Sequence, residues 1–473
     1  MKLNQLTIKQ AQEGLRKKKF SSLELTKACL AQIKKVDKKI NAFITVCEEE
    51  ALTQARKADK TISRDSQLMT YNSLLGIPLA VKDIYCTQQI KTTAGSKILE
   101  NYLPVYDATA VKKLKEAGAI IIGKTNLDAW AHGSSGENSD FGPTKNPWHQ
   151  EYVPGGSSSG SAAALAAGMC LAATGTDTGG SIRLPASFCN LIGLKPTYGR
   201  VSRFGVIAMA SSLDSIGHFA RTVEDAAIIL GVTAGQDFYD STTPAIPVPD
   251  YTQVLNKGIK NLKIGVPQEY FGKGMDKKIK EKIEKEIKNF EKLGAKTIKI
   301  SLPHTQYALA VYYIVQPSEV SSNLARYDGI RYGFSRKRFA DEARRRIMLG
   351  TFTLSTGYYE AYYLKAMQVR SLIKRDFEKA FEKVDVILAP VSPTLPFKLG
   401  EKIDDPLKMY LSDIFTVTAN LAGIPGLSIP VGFVDDLPVG LQILGAQFSE
   451  ELLFQVGYAY EQVTEWHKKR PKI

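Results

Sequence analysis

Short apolar runs, set between small-residue loops and amphipathic stretches, restrict the fold of this chain more than any other feature. Ala119–Ile122 is a continuous apolar run and Val384–Ala389 is apolar apart from Asp385, the pattern of strands buried on both faces. Segments 169–174, Leu262–Val266 and 297–301 read as further strands. Helical segments separate them: 109–118 ending at Gly118, 160–167, a very basic amphipathic helix over 276–293, and arginine- and tyrosine-rich sequence from about 340 to 384. Near the N-terminus, Ser21 and Glu24 form a capping box, after which Leu25, Cys29, Ile33 and Val36 fall on one helical face. The proline-punctuated stretch Gly235–Asn261 reads as a long surface connection. Helices alternating with buried strands predict an α/β fold with a covered sheet. The expected organisation is one domain over 1–473, with a helical segment at 1–64 and a Gly/Ser/Thr-rich core at 65–220.

Charge bears on partners. The chain has 62 Lys plus Arg against 48 Asp plus Glu, a formal net charge of +14. That excess suits a polyanion such as tRNA or an acidic protein, and it equally suits a lysine-rich solvated surface, because the lysines are spread rather than clustered. The cysteines, Cys29, Cys47, Cys86, Cys170 and Cys189, are scattered and never form a Cys-x-x-Cys pair, which argues against a disulfide framework or a zinc site. His132, His149, His218, His304 and His467 are isolated, so no metal is expected. No apolar run reaches membrane-spanning length and the N-terminus lacks a signal-peptide core; the expectation is a cytoplasmic protein.

Two motifs invite a wrong reading. Gly118-Ala-Ile-Ile-Ile-Gly-Lys124-Thr125 matches the phosphate-loop spelling. A phosphate loop follows a strand and leaves its amides free. Here a helix precedes it and its middle is itself strand-forming, so a structural Lys124 is expected. Gly156-Ser157-Ser158-Ser159-Gly160 spells the nucleophile elbow of α/β-hydrolases, but no flanking signature marks an acid or a histidine. A loop opening a helix is the simpler reading.

Three other segments carry chemistry. In Gly76-Ile-Pro-Leu-Ala-Val-Lys82-Asp83, a lysine ends an apolar run. Burial disfavours the charged amine and would make it a base near neutral pH. Taken alone, it reads more readily as a strand-end lysine paired with Asp83. The other two are Pro154-Gly-Gly-Ser157-Ser-Ser-Gly-Ser and Gly175-Thr-Asp177-Thr178-Gly179-Gly180-Ser181-Ile-Arg183. Glycines beside serine allow close backbone approach, and consecutive amides in such a turn can hold an oxyanion.

These three segments together resemble the amidase signature family. The resemblance implies that family's fold, a large mixed central sheet with helices on both faces. It implies Ser181 as the acylated nucleophile, Ser157 as a relay serine preceded by a cis peptide bond, and Lys82 as the base. The amides of Thr178, Gly179, Gly180 and Ser181 would form the oxyanion hole, with Asp177 and Arg183 pinning the loop. Ser159 stands where the family usually has glycine, and the segment from Gly333 to Arg344 is shorter than usual.

Further motifs are similar to one branch, the A subunits of glutamyl-tRNA(Gln)/aspartyl-tRNA(Asn) amidotransferases: Gly123–Asp128, Gly133–Glu137, Ser322–Tyr332, Ile347–Phe352, Tyr358–Tyr363 and the run from Asn420. That branch implies glutamine as substrate, held by Tyr312, Arg346 and Asp413. It implies no cofactor on this chain, a B-type partner binding tRNA, ATP and Mg, and a small C-type partner. Two other readings stand beside it: a stand-alone amidase of small amides, and a non-catalytic scaffold or tRNA-binding component.

Overall fold

The computed structural model describes residues 2–65, 73–272, 274–330 and 334–473. Among these residues the strands form a single sheet: β1 Phe43–Val46, β2 Pro78–Lys82, β3 Ile120–Thr125, β4 Ala172–Asp177, β5 Ile192–Lys195, β6 Ser215–Ala220, β7 Lys263–Pro267, β8 Lys296–Ile300, β9 Val386–Pro390, β10 Gly426–Val434 and β11 Leu437–Gly445. Their order is β1-β3-β2-β4-β6-β5-β10-β11-β9-β7-β8. The sheet is mixed. β3, β2 and β4 run parallel, β6 through β9 pair antiparallel, and β9, β7 and β8 are parallel again. Every residue of β2, β3, β4, β5, β6, β9 and β11 is buried, so both faces of the middle of the sheet are covered. The ends of the sheet are wetter: β1 and β8 each keep exposed positions, and β7, next to β8, exposes Lys263.

The expected helices form at Ser22–Ile40, Thr109–Glu116, Ser159–Ala166 and Lys277–Lys292, the first closed by the Ser21–Glu24 capping box. The 340–384 stretch divides into Asp341–Thr353, a π-helical turn at Tyr359–Leu364 and Lys365–Phe381. One strand is displaced from expectation. The apolar run suggested 169–174, but β4 is Ala172–Asp177, because Leu171 N bonds Pro78 O at the start of pairing and Thr176 and Asp177 continue the ladder against β6. The N-terminal segment is not purely helical. Phe43-Ile-Thr-Val46, too short to show a period, pairs with β3 and shields that edge.

The connection 235–261 carries a 3-10 helix at Tyr251–Lys257. Arg331, Tyr332 and Gly333, which close one of the branch motifs and open the short segment, lie outside the described residues, as does 66–72 of the expected core.

The phosphate-loop look-alike is β3 itself. Its residues are all buried, and Lys124 Nζ meets Asp83 Oδ1 at 3.1 Å, Tyr85 O at 2.9 Å and Thr92 Oγ1 at 2.7 Å. The five cysteines are free and buried. Among the described residues there is no cluster of three or more groups able to hold a metal, and no helix is long and apolar enough to cross a membrane.

Candidate active site

Lys82 ends β2 beside the parallel strand β4, and its backbone N–H donates to Thr174 Oγ1 at 2.9 Å. The side chain is fully buried. Its Nζ lies 2.9 Å from Ser157 Oγ, 2.9 Å from Ser158 Oγ and 2.8 Å from Thr176 Oγ1. Burial lowers the ammonium pKa to about 7, against the opposing pull of Asp128, Asp214 and Asp177. Asp83 turns away. It accepts from Thr93 N at 2.9 Å and Thr93 Oγ at 2.5 Å, and its charge is met by Lys124 rather than by Lys82. The strand-end pairing open on sequence alone is therefore not the one formed.

Ser157 follows a cis peptide bond from Gly156. The loop needs glycine at 156, since a Cβ there would fall 2.0 Å from Asp128 Oδ2. Asp128 underpins the turn by accepting from Gly136 N at 3.0 Å and Asn138 N at 2.9 Å, and its own N–H donates to Ser157 O at 3.2 Å. Ser158, the centre of the elbow look-alike, faces inward to Lys82 and donates to Thr176 O at 3.2 Å. It opens the helix Ser159–Ala166, as a loop-to-helix junction would. Ser159 turns away from the amine, with its hydroxyl 3.3 Å from Thr144 Oγ1.

Ser181 belongs to the loop between β4 and the helix Arg183–Phe188, and its carbonyl accepts from Ser158 N at 3.3 Å. It is 8% exposed where Lys82 and Ser157 are 0%, so the least buried of the three borders the accessible side. Gly180 has φ +141, and a Cβ there would lie 2.3 Å from Thr416 Oγ1. Gly179 packs on the Tyr312 ring, and Thr416 Oγ1 donates to Gly179 O at 2.6 Å. Asp177 and Arg183 brace this turn. Arg183 Nε and Nη2 each meet an Asp177 oxygen at 3.0 Å. The guanidinium also reaches Gln442 Oε1 at 2.8 Å, Thr416 O at 2.9 Å and Asn420 Oδ1 at 2.7 Å. Burial alone would raise the Asp177 pKa, but the Arg183 charge and hydrogen bonds hold it at about 2.

Arg346 and Asp413 come from distant segments, and Asp413 O accepts at 3.0 Å from Thr416 Oγ1, the hydroxyl that also bonds Gly179 O. Ser134 joins the two halves: its carbonyl accepts from Gly156 N at 2.8 Å, and its hydroxyl donates to Asp413 Oδ2 at 2.5 Å. Burial raises the Asp413 carboxyl to about 7, only partly offset by Ser134 and Arg346. A cavity of about 540 Å³ is lined by Ser134, Glu342, Arg346 and Tyr410 among others. Ser181 is not in its lining. Ser134, which lines the cavity, bonds Gly156 beside Ser157, and Tyr312 packs on Gly179 in the Ser181 turn.

The arrangement therefore offers a dry amine of near-neutral pKa bonded to a serine, a second serine in a glycine turn, and a cation and a carboxyl beside a polar cavity. Sequence reasoning missed several contributors: Asp128, Ser134, Ser158, Thr176, Thr416, Asn420 and Gln442. For Asp128 and Ser134 the motifs Gly123–Asp128 and Gly133–Glu137 were a signal. For Thr416 and Gln442 no local signal exists.

The model of the amidase family matches residues 24–454. Over 488 aligned residues the chain is 55% identical to the A subunit of glutamyl-tRNA(Gln) amidotransferase from Carboxydothermus hydrogenoformans, with 100% of both chains covered. Among solved structures, the A subunit of glutamyl-tRNA(Gln) amidotransferase from Thermotoga maritima matches with TM-score 0.83 at 44% identity, covering 98% of this chain and 95% of that one. The native peptide amidase of Stenotrophomonas maltophilia matches with TM-score 0.82 at 32% identity, covering 97% of each chain.

Proposed function

The chain belongs to the amidase family, in the branch of the glutamyl-tRNA(Gln) amidotransferase A subunits, and from that premise we propose that it is the glutaminase component of a tRNA-dependent amidotransferase. The observation that carries this reading is the pairing of a buried, near-neutral Lys82 amine with Ser157, beside a cavity lined by Arg346 and by Ser134, whose hydroxyl donates to Asp413. A free amino acid amide carries a carboxylate and an ammonium. Arg346 suits the first and ionised Asp413 the second, while Tyr312 closes the pocket against the oxyanion turn.

In this reading Ser181 Oγ attacks the side-chain amide carbon of glutamine. Its proton passes to Ser157 Oγ, and the Ser157 proton to Lys82 Nζ. The amides of Thr178, Gly179, Gly180 and Ser181 hold the oxyanion. The C–N bond breaks as the relay returns a proton to nitrogen, so ammonia leaves and an ester remains on Ser181. Water then adds to the ester with the same relay as base, releasing glutamate and restoring the serine. Asp177 and Arg183 keep the turn in place throughout.

The relatives' name supplies the acceptor: ammonia would convert Glu-tRNA(Gln), or Asp-tRNA(Asn), on a B-type partner that binds tRNA, ATP and Mg, with a C-type partner completing a cytoplasmic heterotrimer. No cofactor is assigned to this chain. Residues 1–473 act as one catalytic unit with its core at 65–220. The likeness to a peptide amidase favours a second reading, a stand-alone amidase. Ammonia release from glutamine, from asparagine and from a peptide amide, with and without copurified partners, separates them. Glutamine turnover that rises with the partners is expected. Preference for a peptide amide, indifferent to partners, would replace the reading with the second one.

A further inference from the structure

We infer that Glu342 is a positioning residue, which aims the Arg346 guanidinium at the carboxylate of the substrate. The inference rests on the proposed role of Arg346 as carboxylate holder and deepens it. Glu342 and Arg346 are a turn apart on the helix Asp341–Thr353, and Arg346 Nε donates to Glu342 Oε1 at 2.7 Å. Pairs at this spacing on a helix surface contribute little. This one is enclosed: the side chains are 3% and 11% exposed. Tyr410 OH donates to the same Oε1 at 3.1 Å, and Arg345 also pairs with Glu342.

The rest of the cage fixes the plane of the guanidinium. It lies 4.7 Å from the Tyr313 ring and 5.0 Å from the Tyr410 ring, and those rings stack on each other at 3.8 Å. Arg346 Nη1 donates to Gln316 Oε1. Gln316 is fully buried, and its amide Nε2 has no partner among the described residues. An amide that leaves its own N–H groups unpaired is oriented by something stronger, here the cation facing its oxygen.

The hydrogen count then assigns the direction. Arginine has five N–H donors. Glu342 takes the Nε hydrogen and Gln316 one on Nη1, which leaves Nη2 and the second Nη1 hydrogen along the edge that meets a carboxylate end-on. Two effects of Glu342 oppose each other. Its hydrogen bond pre-orients the arginine, which lowers the ordering cost of binding. Its charge competes with an incoming carboxylate. Burial tends to raise the Glu342 pKa, but the Arg346 charge and bond outweigh that and hold it below the usual range, so both effects operate at neutral pH.

The test uses steady-state kinetics of the full chain with its copurified partners, on glutamine and on 4-aminobutanamide, which is glutamine without its carboxylate. Glu342→Ala loses orientation and should raise KM for glutamine about 10-fold, the scale of a lost charged hydrogen bond, with kcat nearly unchanged. Its kcat/KM on 4-aminobutanamide should stay at the parent value. Glu342→Gln still accepts from Nε while removing the competing charge, so its KM for glutamine should match or fall below the parent's. A Glu342→Ala protein with parent-like KM would overturn the inference alone, as would equal losses on both substrates or a Glu342→Gln variant as impaired as the alanine. A parent enzyme that does not distinguish glutamine from 4-aminobutanamide would overturn the role of Arg346 itself, and this inference with it.

Discussion

At the scale of single residues, the protonation of two buried groups should govern the pH dependence. Lys82 must be neutral to accept a proton. Burial brings its pKa to about 7, so the neutral fraction falls as pH drops through that value. Single-turnover acylation at saturating glutamine should therefore decline below about pH 7. Asp413 must be ionised to hold an ammonium, and burial raises it to about 7 as well. KM for glutamine should rise over the same interval, so the two groups are read from different parameters. Lys82→Arg should be nearly inactive at any pH, because arginine stays protonated. Acylation by that variant at the parent rate would leave the serines without a base. Ser181→Ala should abolish glutamine hydrolysis while the assembled complex still amidates tRNA with free ammonia. Unimpaired glutamine use would remove Ser181 as nucleophile.

Among elements, the β4-to-helix turn depends on a segment far along the chain. Thr416, just before the helix Val417–Ala422, bonds Gly179 O and lies against Gly180. Replacing it by valine keeps the shape and removes the hydroxyl. We expect a stability loss of about 1 kcal/mol, the usual worth of one hydrogen bond. The kinetic effect should be larger, on the order of 10-fold in kcat, since a loosened oxyanion turn misplaces its donors. Equal kcat with an unchanged melting temperature would show that the turn holds itself. The same turn shows what sequence could carry. The glycines were readable from their place beside a serine, and Asp177 and Arg183 from the resemblance of their segment to the amidase family, because the turn is local. Thr416, Asn420 and Gln442 were not, since nothing near them indicates that Arg183 will reach all three.

For the molecule as a whole, the buried ion pair Lys124–Asp83 ties β3 to the residue after Lys82. Lys124→Ala leaves Asp83 enclosed without its cation, a change that typically costs about 3–5 kcal/mol. Denaturant unfolding should register that loss, while ATP affinity of the assembled complex stays at the parent value. Weakened ATP binding by folded variant protein would restore the phosphate-loop reading of 118–125. The pair also explains why the look-alike arises: β3 needs Gly123, where a Cβ would meet Thr45 O at 2.5 Å, and it needs a cation for Asp83. Packing alone produces the spelling.

What the sequence by itself determined is what depends on near neighbours in the chain. Capping boxes, the helices Thr109–Glu116 and Lys277–Lys292, the apolar strands and the glycine turns follow from local periodicity and backbone freedom. Even the β10–β11 hairpin had an unread signal in Asp435 and Asp436, both at positive φ in its turn. Tertiary structure decided what joins to what. β1 is too short to show a period and exists because β3 offers an edge. Lys82 and Asp83 are adjacent in the chain yet point into different environments, one toward serines and one toward Lys124. Their side chains project to opposite faces at the strand end, and only the packing on each face settles which is left unpaired and neutral.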